Sequence, residues 1–288
     1  LRRWLNAKDI TDRPRGLWIV DFGCDVDLDQ ASKYEAPFEY VKRVVAPKRA
    51  AYRTGKRGFW CFERPRPEMR SALAGLFRYL ATPLVSKHRV FTWLAGEYLP
   101  ANLVIAFARD DDYFFGVLHS AVHERWSRRM GTQLREAESG CRYTPTTCFE
   151  TFPFPPLAGG IAREADAANE KQRQRIAVAA TKLNELRENW LNPKNADGSP
   201  ALSDTQLKKR TLTNLYNDRP TWLELAHLEL DRAVLAAYGW PEDWAEKLQP
   251  KRDEKGKVNP ILGVVEPAIE QEVLGRLLAL NLALAGGG

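Results

Sequence analysis

The sequence contains no run of eighteen apolar residues, so it offers no stretch with the length and character of a membrane-spanning helix. It has no basic-then-apolar secretory leader either. It begins with Leu1, and Met69 and Met130 are its only methionines, so the expectation is a piece of a longer protein. Four cysteines, Cys24, Cys61, Cys141 and Cys148, form no C-x-x-C pair. That argues against a zinc ribbon or a disulfide framework and makes a reducing cytoplasm the expected setting. There is no glycine-rich phosphate loop of the G-x-G-x-x-G or Walker kind, and no G-x-S-x-G elbow. His119 and His123 stand four residues apart, but no third ligand at a suggestive spacing accompanies them. They are expected to be helix-surface histidines rather than metal ligands.

The composition describes a globular protein with a real core. The 288 residues suffice for one large domain or two smaller ones, 44% are hydrophobic, and nine tryptophans supply large packing anchors. The net charge of +6 is uneven. Through Leu157 there are 25 Lys and Arg against 18 Asp and Glu, whereas the remainder has 18 against 19. The excess peaks between Lys42 and Arg70, where ten cations face only Glu63 and Glu68. Clustering of this kind is the footprint of a polyanionic partner, with a solvated cationic face as the plainer explanation.

Taken in order, Leu1 to Pro14 reads as polar and turn-rich, and Leu17 to Phe22 as a buried strand. Asp27 to Val45 has helical spacing interrupted by Pro37, giving a kink or two short helices. Gly58 to Phe62 reads as a short strand and Pro67 to Leu73 as a short helix. Strands follow at Phe77 to Val85, Val90 to Leu94 and Leu103 to Phe107. Beyond the Phe-Pro-Phe-Pro-Pro run ending at Pro156, the patterns are all helical: Ile161 to Leu191, Ser203 to Tyr216, Trp222 to Tyr238 and Val264 to Leu284. The fold class expected is therefore α+β, a mixed sheet with helices over residues 1–157, followed by an all-α segment over 158–288.

The stretch from Asp110 to Pro156 stands out. Three aspartates suit a helix start, and Phe115, Leu118, Val122 and Trp126 then recur as the stripe of one amphipathic helix. Arg125, Arg128 and Arg129 crowd its end, and a polar loop follows with Gln133, Arg135, Glu136 and Glu138 before Arg142-Tyr143. Arg and Gln match guanine and adenine edges, and Glu can accept from cytosine. A core helix with a solvated basic end accounts for the same residues. Trp18, Trp60, Tyr79, Phe115, Trp126, Phe152 and Phe154 read as core; for Trp60 and Tyr143 stacking on a base is the alternative. Asp21, Asp25, Asp27 and Asp29 form an acidic cluster after a strand, which a metal-dependent nuclease could use, although Asp27 and Asp29 are better explained as helix capping.

Several segments together resemble a known family. They are Trp18-Ile19-Val20-Asp21-Phe22, Ala31-x-x-Tyr34-x-x-Pro37-Phe38, Pro47-x-Arg49, Phe59-Trp60 with Arg64-Pro65, and Arg78-Tyr79. Ser86-Lys87-His88-Arg89-x-Phe91 follows, then Phe115-Gly116-Val117-Leu118-x-Ser120-x-x-His123-x-x-Trp126, Arg142-Tyr143 and Thr151 to Pro155. In this order they resemble the target recognition domain of MmeI-like DNA adenine methyltransferases. Leu215-Tyr216-Asn217, His227-x-x-Leu230-Asp231, Ala237-Tyr238-Gly239-Trp240 and Leu277-Leu278-x-Leu280-Asn281 resemble the family's helical C-terminal segment. The resemblance implies an upstream domain that binds S-adenosylmethionine and methylates N6 of a flipped adenine through F-x-G-x-G and N-P-P-Y motifs. Neither motif occurs here. It implies double-stranded DNA and that upstream methyltransferase domain as partners, within a restriction–modification or phage-defence system. Residues 1–157 would then be the recognition domain. Lys48, Arg49, Lys87, Arg89 and Arg128 are the expected phosphate contacts, and Gln133, Arg135, Glu136, Glu138 and Arg142 include the expected base readers. The alternatives are a metal-dependent nuclease at Asp21, Asp25 and Asp27, and a helical protein-interaction module.

Overall fold

The computed structural model describes residues 1–51, 58–133, 140–156 and 167–286. The chain opens with a strand, β1 (Arg2–Leu5), and a short helix, α1 (Ala7–Thr11), where turns were expected. Asn6 explains the helix: its side chain accepts from the Lys8 and Asp9 N–H groups while Asp9 reaches back to the Asn6 N–H, a complete capping box. The strand expected over Leu17 to Phe22 shrinks to β2 (Trp18–Ile19), and Trp18 is 56% exposed rather than core, covered by the Arg3 guanidinium 4.9 Å from its ring.

The Asp27 to Val45 pattern divides into α2 (Leu28–Ser32) and α3 (Glu35–Val44), with Pro37 inside the first turn of the second, where its missing N–H costs nothing. Then come α4 (Ala46–Ala50) and α5 (Pro67–Leu73). Gly58 to Phe62 is not a strand among the described residues; it turns tightly, with Cys61 N–H donating to Gly58 O and Trp60 Nε1 to Val26 O. The central sheet is built from β3 (Arg78–Pro83), almost wholly buried, flanked by β5 (Thr92–Ala95) and β7 (Val104–Phe107), both antiparallel to it. β4 (Val85–Ser86) and β6 (Tyr98–Pro100) lie between them in sequence, and β6 joins β1 in a parallel pair.

The single helix expected from Asp110 to Arg129 is two: α6 (Asp112–His119) and α7 (Ala121–Met130). Ser120 breaks them apart. It leaves helical dihedrals and its hydroxyl caps His123 N–H, a rearrangement serine favours because its oxygen can replace a backbone acceptor. The break redirects the chain between α6, buried from Tyr113 to His119, and α7, buried through Ser127 except at Glu124 and exposed at Arg129 near its end. β8 (Thr132–Gln133) and β9 (Cys141–Arg142) follow, then a single π-helical turn at Pro145–Phe149. The rest is helical: α8 (Ala167–Leu191), α9 (Asp204–Leu207), α10 (Leu212–Asp218), α11 (Thr221–Ala237), α12 (Trp244–Lys247) and α13 (Pro267–Gly286). No helix among the described residues is long and apolar enough to cross a membrane.

Buried side chains from both sides of the expected boundary at residue 157 pack together. One hydrophobic cluster runs from Leu5 and Tyr79 through Phe115 and Trp126 to Ile176, Leu230 and Leu277. Gly116 shows how close the halves come. A Cβ on this α6 residue would lie 2.6 Å from Ile176 Cγ2 and 3.0 Å from Ala180 Cβ of α8, and 3.2 Å from Leu230 of α11. Only a missing side chain lets the three helices meet there.

Candidate nucleic-acid interface

Three two-residue strands gather much of the chemistry singled out in the sequence. β9 is central: Arg142 stands opposite Val85 of β4 and Thr132 of β8, and Cys141 opposite Ser86 and Gln133. Gly140, at φ 91°, makes the approach possible, since a Cβ there would lie 2.2 Å from Ser86 O. Arg142 is exposed, as alternation along β9 requires when Cys141 and Tyr143 on either side are buried. Tyr143 is core and not a stacking platform, its hydroxyl donating to His123 Nε2 at 3.1 Å. The backbone of Gln133 lies in this ladder, whereas Arg135, Glu136 and Glu138 fall outside the described residues.

Lys87 and Arg128 sit beside this sheet, and both are held. Arg128 forms an ion pair with Glu124 at 2.8 Å and donates to Lys87 O at 2.9 Å. Burial alone would push the Glu124 carboxyl up, but the charges of Arg125 and Arg128 and the Arg128 hydrogen bond keep it well below the usual carboxylate range. Lys87 Nζ donates to Asn217 Oδ1 at 2.7 Å, and His88 Nε2 meets the same oxygen at 2.8 Å. Asn217 belongs to α10, so the helical half holds the loop that precedes the expected base readers. Of the cations at the end of α7, Arg125 is buried against Glu124 and Glu270, while Arg129 is exposed.

Arg89 does not stand where an external phosphate could reach it. It is 7% exposed, and its guanidinium donates to Thr82 Oγ1 at 3.1 Å, to Pro83 O and to Cys141 O at 2.8 Å. Burial pulls its pKa down to about 10, still high enough to keep the charge. Its sequence neighbours in the basic Ser-Lys-His-Arg loop gave no sign that Ser86, His88 and Arg89 are buried while Lys87 stays partly exposed. Lys48, exposed, and Arg49, which donates to Gly58 O at 3.1 Å, belong to a different element, α4, packed on α3.

The histidines are also inside. His88, His119, His123 and His227, all four in the chain, are at most 7% exposed. The expected surface pair, His119 and His123, instead anchors hydrogen-bond chains. His119 Nε2 lies 2.8 Å from Tyr216 Oη, which lies 3.1 Å from His227 Nε2. His123 Nδ1 donates to Leu118 O at 2.7 Å. Burial keeps all four neutral, with His88 and His123 pulled down to about 4. Asp231 of α11 accepts from Ala121 N–H at 2.7 Å, fixing the start of α7, and burial raises its pKa to about 6.

The acidic cluster does not assemble. The Asp21 side chain is 3% exposed and pairs with both terminal nitrogens of Arg70, at 2.7 and 3.2 Å; desolvation pushes its pKa up, but Arg70 and the Gly23 N–H outweigh that and hold it below its ordinary value. Asp27 caps α2 through Gln30 N–H, and Asp25 is exposed. Among the described residues no group of three His, Cys, Asp or Glu could hold a metal. Sequence reasoning missed Asn217 and Asp231 as supports, because nothing in a helical pattern says which polar residue faces a loop a hundred positions away.

Comparison with known proteins fits this geometry. Residues 83–156, from the end of β3 through the Phe-Pro-Phe-Pro-Pro run, match the family model described as MmeI, target recognition domain. A curated relative, DNA methyltransferase A of Bacillus subtilis (strain 168), is 26% identical over 165 residues, 55% of this chain and 15% of its own length. A solved structure of the Type IIL restriction–modification enzyme MmeI in complex with DNA superposes with a TM-score of 0.60 over 99% of this chain at 20% identity. This chain spans 31% of that one. The fold is shared over nearly the whole sequence, and the chain contains an MmeI-like target recognition domain.

Proposed function

We propose that this chain recognises a short sequence in double-stranded DNA on behalf of an S-adenosylmethionine-dependent adenine-N6 methyltransferase of restriction–modification or phage-defence type. The observation that carries the reading is Arg142, exposed on the central strand of the β4–β9–β8 sheet and inside the residues that match the target recognition domain. An exposed arginine fixed by its backbone on both sides can offer two parallel donors to a guanine edge. Arg129 and Lys87 flank it as sequence-independent phosphate contacts, with Lys48 on α4 as a further one. Gln133, Arg135, Glu136 and Glu138 remain proposed base readers. Arg89 serves the reading indirectly, by tying β9 to the end of β3. No methyl-transfer step is assigned to these residues, because the sequence carries neither cofactor nor catalytic motif; an upstream domain would supply both.

Selection of binding sites from a random duplex library tests the reading. Arg142→Ala should change the preferred base at one position, losing discrimination of about 1–3 kcal/mol. Arg129→Ala should weaken every sequence alike and reduce the salt dependence. If both variants select the wild-type sequence with wild-type salt dependence, this face does not read DNA. A second reading, an interaction module in the helical half, is favoured by Leu278, Leu282 and Leu284, exposed along α13. Retention of the upstream methyltransferase domain on immobilised chain, lost in Leu278→Glu/Leu282→Glu, would support it; undiminished retention would remove it.

A further inference from the structure

A groove of about 650 Å³ opens beside the recognition sheet, within the size range of small-molecule sites. Trp4 of β1, Phe62 and Met69 give it an apolar floor. Its charged lining consists of Arg64, Arg66 and Arg70, with no carboxylate among the lining residues. Glu63 and Glu68 are exposed on the same segment but do not line it.

The three arginines differ in what they are doing. Arg70 is committed: it grips Asp21, its Nε donates to Pro65 O at 2.6 Å, and it lies 5.7 Å from the Phe62 ring. Those bonds hold the Arg64-Pro65-Arg66-Pro67 turn in place. Arg64 and Arg66 are exposed, and neither has an ion-pair partner among the described residues. Arg66 moreover has φ 56° and ψ 62°, a left-handed conformation that a residue with a Cβ adopts at a cost and that glycine adopts freely. Stability alone would place glycine there. A cation kept in a strained conformation on the rim of a cation-lined groove is the pattern of a ligand contact.

The groove also adjoins the candidate interface. Its wall includes Val104, at the start of β7, and Pro145, three residues beyond Arg142. Leu84 N–H donates to Leu103 O, and Tyr143 N–H donates to Leu84 O, both at 2.8 Å. Two backbone rungs, through Leu84, therefore link Leu103, between the lining residues Asn102 and Val104, to the end of the strand that carries Arg142, a spacing of about 5 Å per rung.

We propose that this groove is a second DNA-contacting subsite, which takes one deoxynucleotide unit of the strand leaving the recognition sheet. Its phosphate lies between Arg64 and Arg66, and its deoxyribose rests on Trp4 and Phe62. The proposal rests on the DNA-recognition reading above and adds to it a site that supplies affinity without sequence preference.

The test measures anisotropy of a labelled duplex against the full chain across a salt series, for wild type, Arg64→Ala, Arg66→Gly and the double variant. Lys171→Ala on α8, outside the groove lining, is the control. Each single variant should reduce the slope of log affinity against log salt by about 0.9, and the double variant by about twice that, equally on every sequence. Arg66→Gly should at the same time raise the melting temperature, since the strain is released. If wild type binds with steep salt dependence and the groove variants keep its slope, or fall no further than Lys171→Ala, the groove is not a DNA contact and the recognition reading stands. If wild type shows no salt-dependent duplex binding at all, the recognition reading falls and this proposal with it.

Discussion

Arg89 brings a charge into the interior and directs it at three oxygens on two strands, those of Thr82 and Pro83 in β3 and of Cys141 in β9. Removing it would leave Thr82, Pro83 and Cys141 acceptors buried and unpaired. Arg89→Ala should therefore cost about 3–5 kcal/mol in urea unfolding, far more than loss of a surface cation. A variant as stable as wild type would return Arg89 to the list of surface contacts. The histidines make a second prediction at this scale. His88 and His123 titrate near 6.5 in the unfolded chain and near 4 in the folded one. The unfolded state thus takes up protons first, so stability is intact above about pH 6.5 and is lost as the pH falls toward 4. Asp231, raised to about 6, works the other way, because the folded chain binds its proton first. The depressed histidines, His119 and His227 adding to His88 and His123 in the same direction, outweigh one raised aspartate, and a net loss of at least about 2 kcal/mol is expected between about pH 7.5 and about pH 5. An unchanged urea midpoint across that interval would contradict the burial of these rings.

Elements were legible to the degree that they are long or flanked by strong signals. β3, β5, β7, α5 and α11 fall where periodicity and proline place them. β1, β6, β8 and β9 do not announce themselves, because a pairing of two to four residues leaves too short a pattern to read, and the strand expected at Leu17 to Phe22 keeps only the two paired residues of β2. The Asp110 to Met130 stretch has an unbroken apolar stripe, so its division at Ser120 depends on a capping choice that the stripe conceals. Of the candidate site, the exposure of Arg142 follows from its place in a strand between buried Cys141 and Tyr143, whereas the inward turn of Arg89 and the burial of His119 are decided by what packs against them. Gly116 yields a prediction at this scale. Alanine is the better helix former by about 1 kcal/mol, but its Cβ would press on the stiff branched side chain of Ile176. Overpacking costs about 1–3 kcal/mol, so Gly116→Ala should lower stability on balance, with a melting temperature below wild type. A rise would mean that α6 and α8 can part without cost.

Among the described residues a large hydrophobic cluster spans both halves of the chain, and the bonds across it are long-range. Arg187 donates to Phe91 O, Tyr238 Oη to Pro153 O, Asn281 Nδ2 to Thr151 O and Arg13 to Leu191 O. Residues 1–157 expressed alone should accordingly lack a cooperative unfolding transition and bind a hydrophobic dye, because Phe115, Trp126 and Phe154 would lose their cover. A sharp transition in that fragment would show that residue 157 is an autonomous border. The shared oxygen of Asn217 carries a consequence for transplantation. One amide on α10 receives both Lys87 and His88, so residues 83–156 transplanted into a sister protein would arrive without their keeper unless the host already offers an acceptor at that place. Moving this segment into another chain would then require moving Asn217 with it, or an acceptor already in that place.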